Sequence, residues 1–245
     1  MKFLQSLPKP KYTGAVLQLS KYTSALAPPP SKVYWEYKVP ESEWGTMAND
    51  TVGDCEIARI AHMVMCFTAH TGNIVIPTVD EVLAVYSAIT GYDPKTGAND
   101  NGAATPDVLN YWVENGIAGH KITGWAQIEA TQLAVEQAVY LFGGAATDIA
   151  VYQSMMEQSN AGQPWDNISG SLDGYHAVPV FGYGSEGNTC VTWGALQQSG
   201  WDTFMQILQG AYAVITPDWI DQATQKTPSG FDLDALKADL AALNA

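Results

Sequence analysis

Cys55 and His176 carry the chemistry that most needs an account. Cys55 follows NDTVGD and opens the apolar run CEIARIAHMVMCFTAH, which predicts a central, buried helix from Asp54 or Cys55 to about His70. A thiol at a helix N-terminus meets the positive end of the macrodipole, which favours thiolate over thiol. His176 opens HAVPVFGYG, a strand-like stretch in which a buried imidazole needs a hydrogen-bond partner. Asn49, six residues before the cysteine, offers side-chain N–H donors to a developing oxyanion. Gly53 permits a tight backbone approach or a positive φ beside the nucleophile. Nucleophile, base and oxyanion donor are the minimum parts for acyl transfer.

The bland alternative is that buried free cysteines act as small hydrophobes. Cys66, beside Met63 and Met65, and Cys190, inside TCVTW, read that way. His62 and His70 lie eight residues apart on the same helix and lack the further ligands a metal needs. His120 follows Gly119 in a turn and reads as exposed, while Trp112, Trp125, Trp165, Trp201 and Trp219 read as core or cleft walls. There is no phosphate loop and no dinucleotide fingerprint, so neither cofactor nor metal is expected.

The elements that must position the cysteine and histidine fall into two halves. Thr78 caps VDEVLAVYSAIT, and PDVLNYWVENG has proline in its first turn and Gly116 as its stop. TGYDPKTGANDNG between them is turn chemistry throughout. From about residue 120, KITGWAQI, HAVPVFGYG, TCVTWGAL and AYAVITP read as strands, with ATQLAVEQAVYLF a helix among them. Helices first and an antiparallel sheet second is an α+β pattern.

The 245 residues are 47% apolar and 15% charged, with a formal net charge of −14. That composition suits a folded chain with a sizeable core, and its acidity argues against nucleic acid or an anionic membrane as partner. No stretch approaches the ~20 apolar residues of a membrane span. Pro8 and Pro10 interrupt the N-terminus, so no signal peptide is expected, and three cysteines do not make a disulfide framework. The expected location is cytoplasmic or virion-associated.

Several segments, in order, resemble the papain-like cysteine peptidase family. HAVPVFGYG resembles its His-Ala-Val run into Gly-Tyr-Gly, and TWGALQQSGW its Trp-Gly…Gly-Trp segment. NDTVGDC resembles its Gln-x5-Cys, with Asn49 in the glutamine's place. VYWEYKV resembles the tryptophan-bearing start of the mature domain, and NDNGAATPDVLNYWVENG the turn and helix ahead of the cleft. Asp54-Cys55 is also similar to the C39-type peptidases. The resemblance implies a papain-like α+β fold, with the central helix packed on an antiparallel sheet or barrel. It implies Cys55 as nucleophile and His176 as base, with Asn49 in the oxyanion hole and Trp193 shielding the base. Gly53, Gly102, Tyr175 and Trp193 would meet a peptide or protein substrate, with Trp165 and residues near 100–103 as further cleft walls. The domain would span 33–220, between a proline-rich arm at 1–32 and a tail with an amphipathic helix at 221–245, both suited to assembly contacts.

Three departures from the family pattern stand out. Its histidine-orienting asparagine is replaced, by Val191 if counted from the Trp-Gly and by Thr192 if counted from His176. Asn49 is one methylene shorter than glutamine. Glu56 follows the nucleophile directly and raises its thiol pKa against the dipole. Two functions follow: a cysteine hydrolase cleaving a peptide or isopeptide bond, or a weakened or inactive papain-like module serving a larger assembly such as a phage particle.

Overall fold

The computed structural model describes residues 28–220 and Thr227; most of the proline-rich arm and the amphipathic C-terminal helix lie outside the described residues. The order is β1 (Val33–Tyr34), α1 (Cys55–Thr71), α2 (Val79–Thr90), α3 (Thr105–Glu114) and β2 (Gly124–Gln127). Then come α4 (Gln132–Phe142), β3 (Ala145–Tyr152), α5 (Gln153–Asn160) and β4 (Leu172–Tyr183). β5 (Gly187–Thr192), β6 (Ala195–Gly200), α6 (Trp201–Ile207) and β7 (Leu208–Ile215) complete it. The sheet runs β2-β7-β3-β4-β5-β6, antiparallel throughout, with β1 pairing the end of β4.

Local chemistry explains the helix ends. Thr78 and Glu81 form a reciprocal capping box at the start of α2, and Gly91, at φ 75°, ends it. α3 begins with Pro106 in its first turn and stops at Glu114. Gly116 follows at φ 84°, where a Cβ would lie 2.6 Å from the His120 carbonyl oxygen.

The sheet has an apolar cluster on each face. On one side Val135, Val139, Phe204 and Ile207 pack with Ile149, Val151, Val178 and Val180. On the other, α1, α2 and α3 pack through Ile60, Val64, Tyr86 and Trp112 towards Ala146, Phe181, Tyr212 and Val214. Strand alternation puts Ala146 and Asp148 on one face and Ile149 and Val151 on the other, with a register break against β7 between Asp148 and Ile149. α1 is buried from Cys55 to Thr68, as the apolar run demands. Among the described residues, no helix is long and apolar enough to cross a membrane.

Several details depart from the sequence reading. The strand expected at 176–184 begins at Leu172, and TCVTWGAL divides into β5 and β6 around a turn at Trp193 and Gly194. β3, α5 and α6 carry no clear signal. β3 is the alanine-rich AATDIAVY, without alternation because both its faces are covered. His120 is half-buried rather than exposed, its Nδ1 3.0 Å from Asp218 Oδ1. Trp165 is core rather than cleft wall: it is fully buried, and its indole N–H donates to Ser159 Oγ at 2.8 Å.

Candidate active site

Cys55 is the first residue of α1, and the loop before it is tightly wound. Backbone N–H groups of Asn49 and Val52 donate to the carbonyls of Thr46 and Ala48, both at 2.9 Å. Of the two uses open to Gly53, a tight approach or a positive φ, the second is not taken: Met47 and Ala48 have the positive φ in this loop, at 55° and 72°. Gly53 contributes its N–H, which donates to Asp100 Oδ1 at 2.9 Å. Tyr86 Oη also donates to that oxygen, at 2.8 Å, and accepts from the Gly102 N–H at 2.9 Å. Asp100 and Tyr86 thus join the Gly102 turn to the loop before Cys55.

β4 supplies the other half. Cys55 packs on Ala177, the residue after His176, with Tyr175 against both. The Ala177 backbone lies close enough to the Cys55 sulfur to lower its pKa, against the effect of burial. His176 Nε2 lies 2.8 Å from Thr192 Oγ1. The Trp193 ring stacks on the imidazole at 4.7 Å between centroids and 15° between planes. His176 Nδ1, buried, has no hydrogen-bond partner among the described residues.

Strand alternation sets Val191 and Thr192 on opposite faces of β5. Val191 points into the cluster shared with α1, while Thr192, one residue on, faces His176. Trp193 then turns back at φ 46°, and Gly194 bridges to Gly45 so closely that a Cβ would sit 2.9 Å from the Gly45 carbonyl carbon. The ring over His176 is therefore held by a backbone contact with the half of the chain that carries Cys55.

Asn49 reaches the start of α1, but its amide faces inward. Nδ2 donates to the Val52 carbonyl at 3.1 Å and to Asp54 Oδ1 at 3.2 Å.

Burial governs the electrostatics. Cys55 and His176 are 2% and 1% exposed. Desolvation pushes the thiol well above its ordinary range, and Glu56 adds to this, while the Ala177 backbone opposes it. Desolvation, helped by the positive charge of Arg59, brings His176 down to about 3. The resting pair is neutral thiol and neutral imidazole. The macrodipole's preference for thiolate is real but smaller than the cost of burying the charge.

A group that sequence reasoning missed lies one turn further along α1. Arg59 pairs with Glu56, and its Nη1 lies 2.8 Å from Asp148 Oδ1 on β3. The Thr105 hydroxyl stands between the carboxylates, 2.6 Å from Glu56 Oε1 and 2.9 Å from Asp148. All four side chains are buried. Burial, reinforced by Asp148, raises the Glu56 pKa against the pull of Arg59. An aspartate amid the apolar AATDIAVY was the available signal, with Glu56 and Arg59 spaced one helical turn apart. Among the described residues, no cluster of histidine, cysteine and carboxylates is arranged to hold a metal.

By sequence, no family model and no curated protein matches the chain. Its fold is that of the papain-like cysteine proteases. Xylellain, a cysteine protease from Xylella fastidiosa, superposes with a TM-score of 0.60 at 14% identity, over 88% of this chain and 99% of that one. ProCathepsin B S9 from Trypanosoma congolense gives 0.62 at 10% identity, over 88% and 87%. Digestive procathepsin L 3 of Tenebrio molitor gives 0.61 at 13% identity, over 84% and 76%.

Proposed function

We propose that the protein is a papain-like cysteine hydrolase that cleaves a peptide or isopeptide bond. The state of His176 carries this reading. Its Nε2 is held by Thr192 and its face by Trp193, yet Nδ1 is buried and unpaired on the strand that contacts Cys55. A purely structural histidine would satisfy both nitrogens, since a buried unpaired one costs about 1–3 kcal/mol. With Nε2–H donating to Thr192, Nδ1 presents a lone pair to receive the Cys55 proton.

The sulfur attacks the carbonyl carbon as His176 takes its proton. The Cys55 backbone N–H and Asn49 receive the oxyanion. His176 then protonates the leaving amine, and water, deprotonated by the same ring, releases the acyl group from sulfur. Gly53, Gly102, Tyr175 and Trp193 form the ground on which a peptide or protein substrate lies. The test is mass-spectrometric detection of fragments from a denatured-protein or peptide library. Cleavage should fall by about 10³-fold or more in Cys55→Ala and in His176→Ala. Cleavage that survives either change rules this mechanism out.

The near-complete burial of Cys55 and His176 favours a second reading, a papain-like module with a silent site in a larger assembly such as a phage particle. Absence of Cys55-dependent cleavage across the library is the outcome that selects it.

A further inference from the structure

We propose that Asp54 is the positioning residue for Asn49: it holds the amide beside the nucleophile, and its charge controls whether that amide can reach the acyl oxygen. This rests on the hydrolase reading and deepens it. Three observations support it. Asn49 and Asp54 are 1% and 0% exposed, and Asn49 Nδ2 donates to Asp54 Oδ1 at 3.2 Å. Asp54 occupies the N-cap of α1, yet its side chain caps nothing. Its Oδ2 is buried without a hydrogen-bond partner.

An aspartate at an N-cap ordinarily accepts from the first turn's N–H groups. This one turns away from that role and takes a side-chain amide from its own loop. A carboxylate would grip that amide with a charge-assisted bond and set a negative charge beside the nascent Cys55 thiolate. A neutral carboxylic acid accepts more weakly and adds no charge. Asn49 can then exchange Asp54 for a substrate oxygen as charge develops there.

The surroundings favour the neutral form. Burial pushes Asp54 up to about 8 from an ordinary 3.8, opposed by the Asn49 amide and reinforced by Asp100 and Asp50. Tyr86, Tyr92 and Cys55 also feel its charge. Asp100 is tied to the Gly53 N–H and Tyr86, and Asp50 accepts from Thr46 Oγ1 at 2.9 Å. Below about pH 8 the carboxyl keeps its proton, and above it the charge appears.

Two measurements test this, and they can fail separately from the hydrolase reading. Carbon-13 NMR of the Asp54 carboxyl needs no turnover. It should show titration well above the ordinary aspartate range, moving higher still in Asn49→Ala, which removes the opposing hydrogen bond. Titration near 4, or no response to Asn49→Ala, overturns the proposal. In turnover, kcat should decline above about pH 8, and Asp54→Asn should remove that decline while keeping kcat at pH 7 within about threefold. Asp54→Ala should lower kcat about tenfold with KM little changed, less than the ~10²–10³ of losing an oxyanion donor outright. An alkaline limb unmoved in Asp54→Asn, or wild-type kcat in Asp54→Ala, also overturns it.

Discussion

Thr192 Oγ1 stands 2.8 Å from His176 Nε2, so a hydroxyl orients the imidazole in this protein. A threonine side chain is short and β-branched, so its χ1 is restricted and its hydroxyl can be held in one place. Thr192→Val keeps the shape and removes the bond. Kinetics should show kcat down about tenfold with KM nearly unchanged, because orientation of the base matters to the transition state more than to substrate binding. Unchanged kcat would remove Thr192 from the machinery.

The neutral resting pair has its own signature. A thiol raised above its ordinary range holds less thiolate at every pH below that pKa. Iodoacetamide should therefore label Cys55 at least about tenfold more slowly at pH 7 than it labels an exposed cysteine, with the rate climbing as pH rises. Labelling rates from pH 6 to 10 in the intact protein provide the check. Fast, pH-flat labelling around neutrality would mean that the thiolate–imidazolium pair already exists at rest.

Arg59 is the single cation between Glu56 and Asp148, and all three are buried. Arg59→Met fills much of the same space but leaves two carboxyls without a counter-charge. Urea denaturation should report a loss of about 3–5 kcal/mol, the usual result of breaking a buried pair from one side. A change under about 1 kcal/mol would show that the carboxyls simply protonate and need no partner.

Glu36 supplies a pH dependence of stability. It is 7% exposed, its Oε2 has no hydrogen-bond partner, and burial raises it from an ordinary 4.5 to about 7. The folded state therefore binds a proton that the unfolded state releases between about pH 4.5 and 7. The benefit of keeping Glu36 neutral is present below that window and lost as pH rises through it, by on the order of 2–3 kcal/mol. Glu36→Gln should be the more stable protein at pH 8 and show little difference at pH 4. Parallel denaturation curves at both pH values decide it.

What the sequence disclosed follows from how local each signal is. The capping box at Thr78 and Glu81 and the unbroken apolar run after Cys55 are written in consecutive residues, and α1 and α2 form where those residues stand. β3 depends on being covered on both faces, which no alternation records, and the seven-residue α6 is too short to show a period. At the site, pairing of β4 with β5 brings His176 and Thr192 together, the helix packs Cys55 on Ala177, and only alternation along β5 separates Thr192 from Val191. The inward turn of the Asn49 amide towards Asp54 depends on the winding of the loop between them, which no local sequence pattern records. Dipole and neighbour are visible in sequence and pull the thiol in opposite directions, whereas its depth, the largest influence, is not.

Glu56 and Arg59 come from the helical half of the chain and Asp148 from the strand half. Made alone, the helical half would still pair Glu56 with Arg59, whereas the strand half would hold Asp148 with no counter-charge. The ionic triad therefore joins the halves unequally: the strands need the helix's cation more than the helix needs the strands' anion.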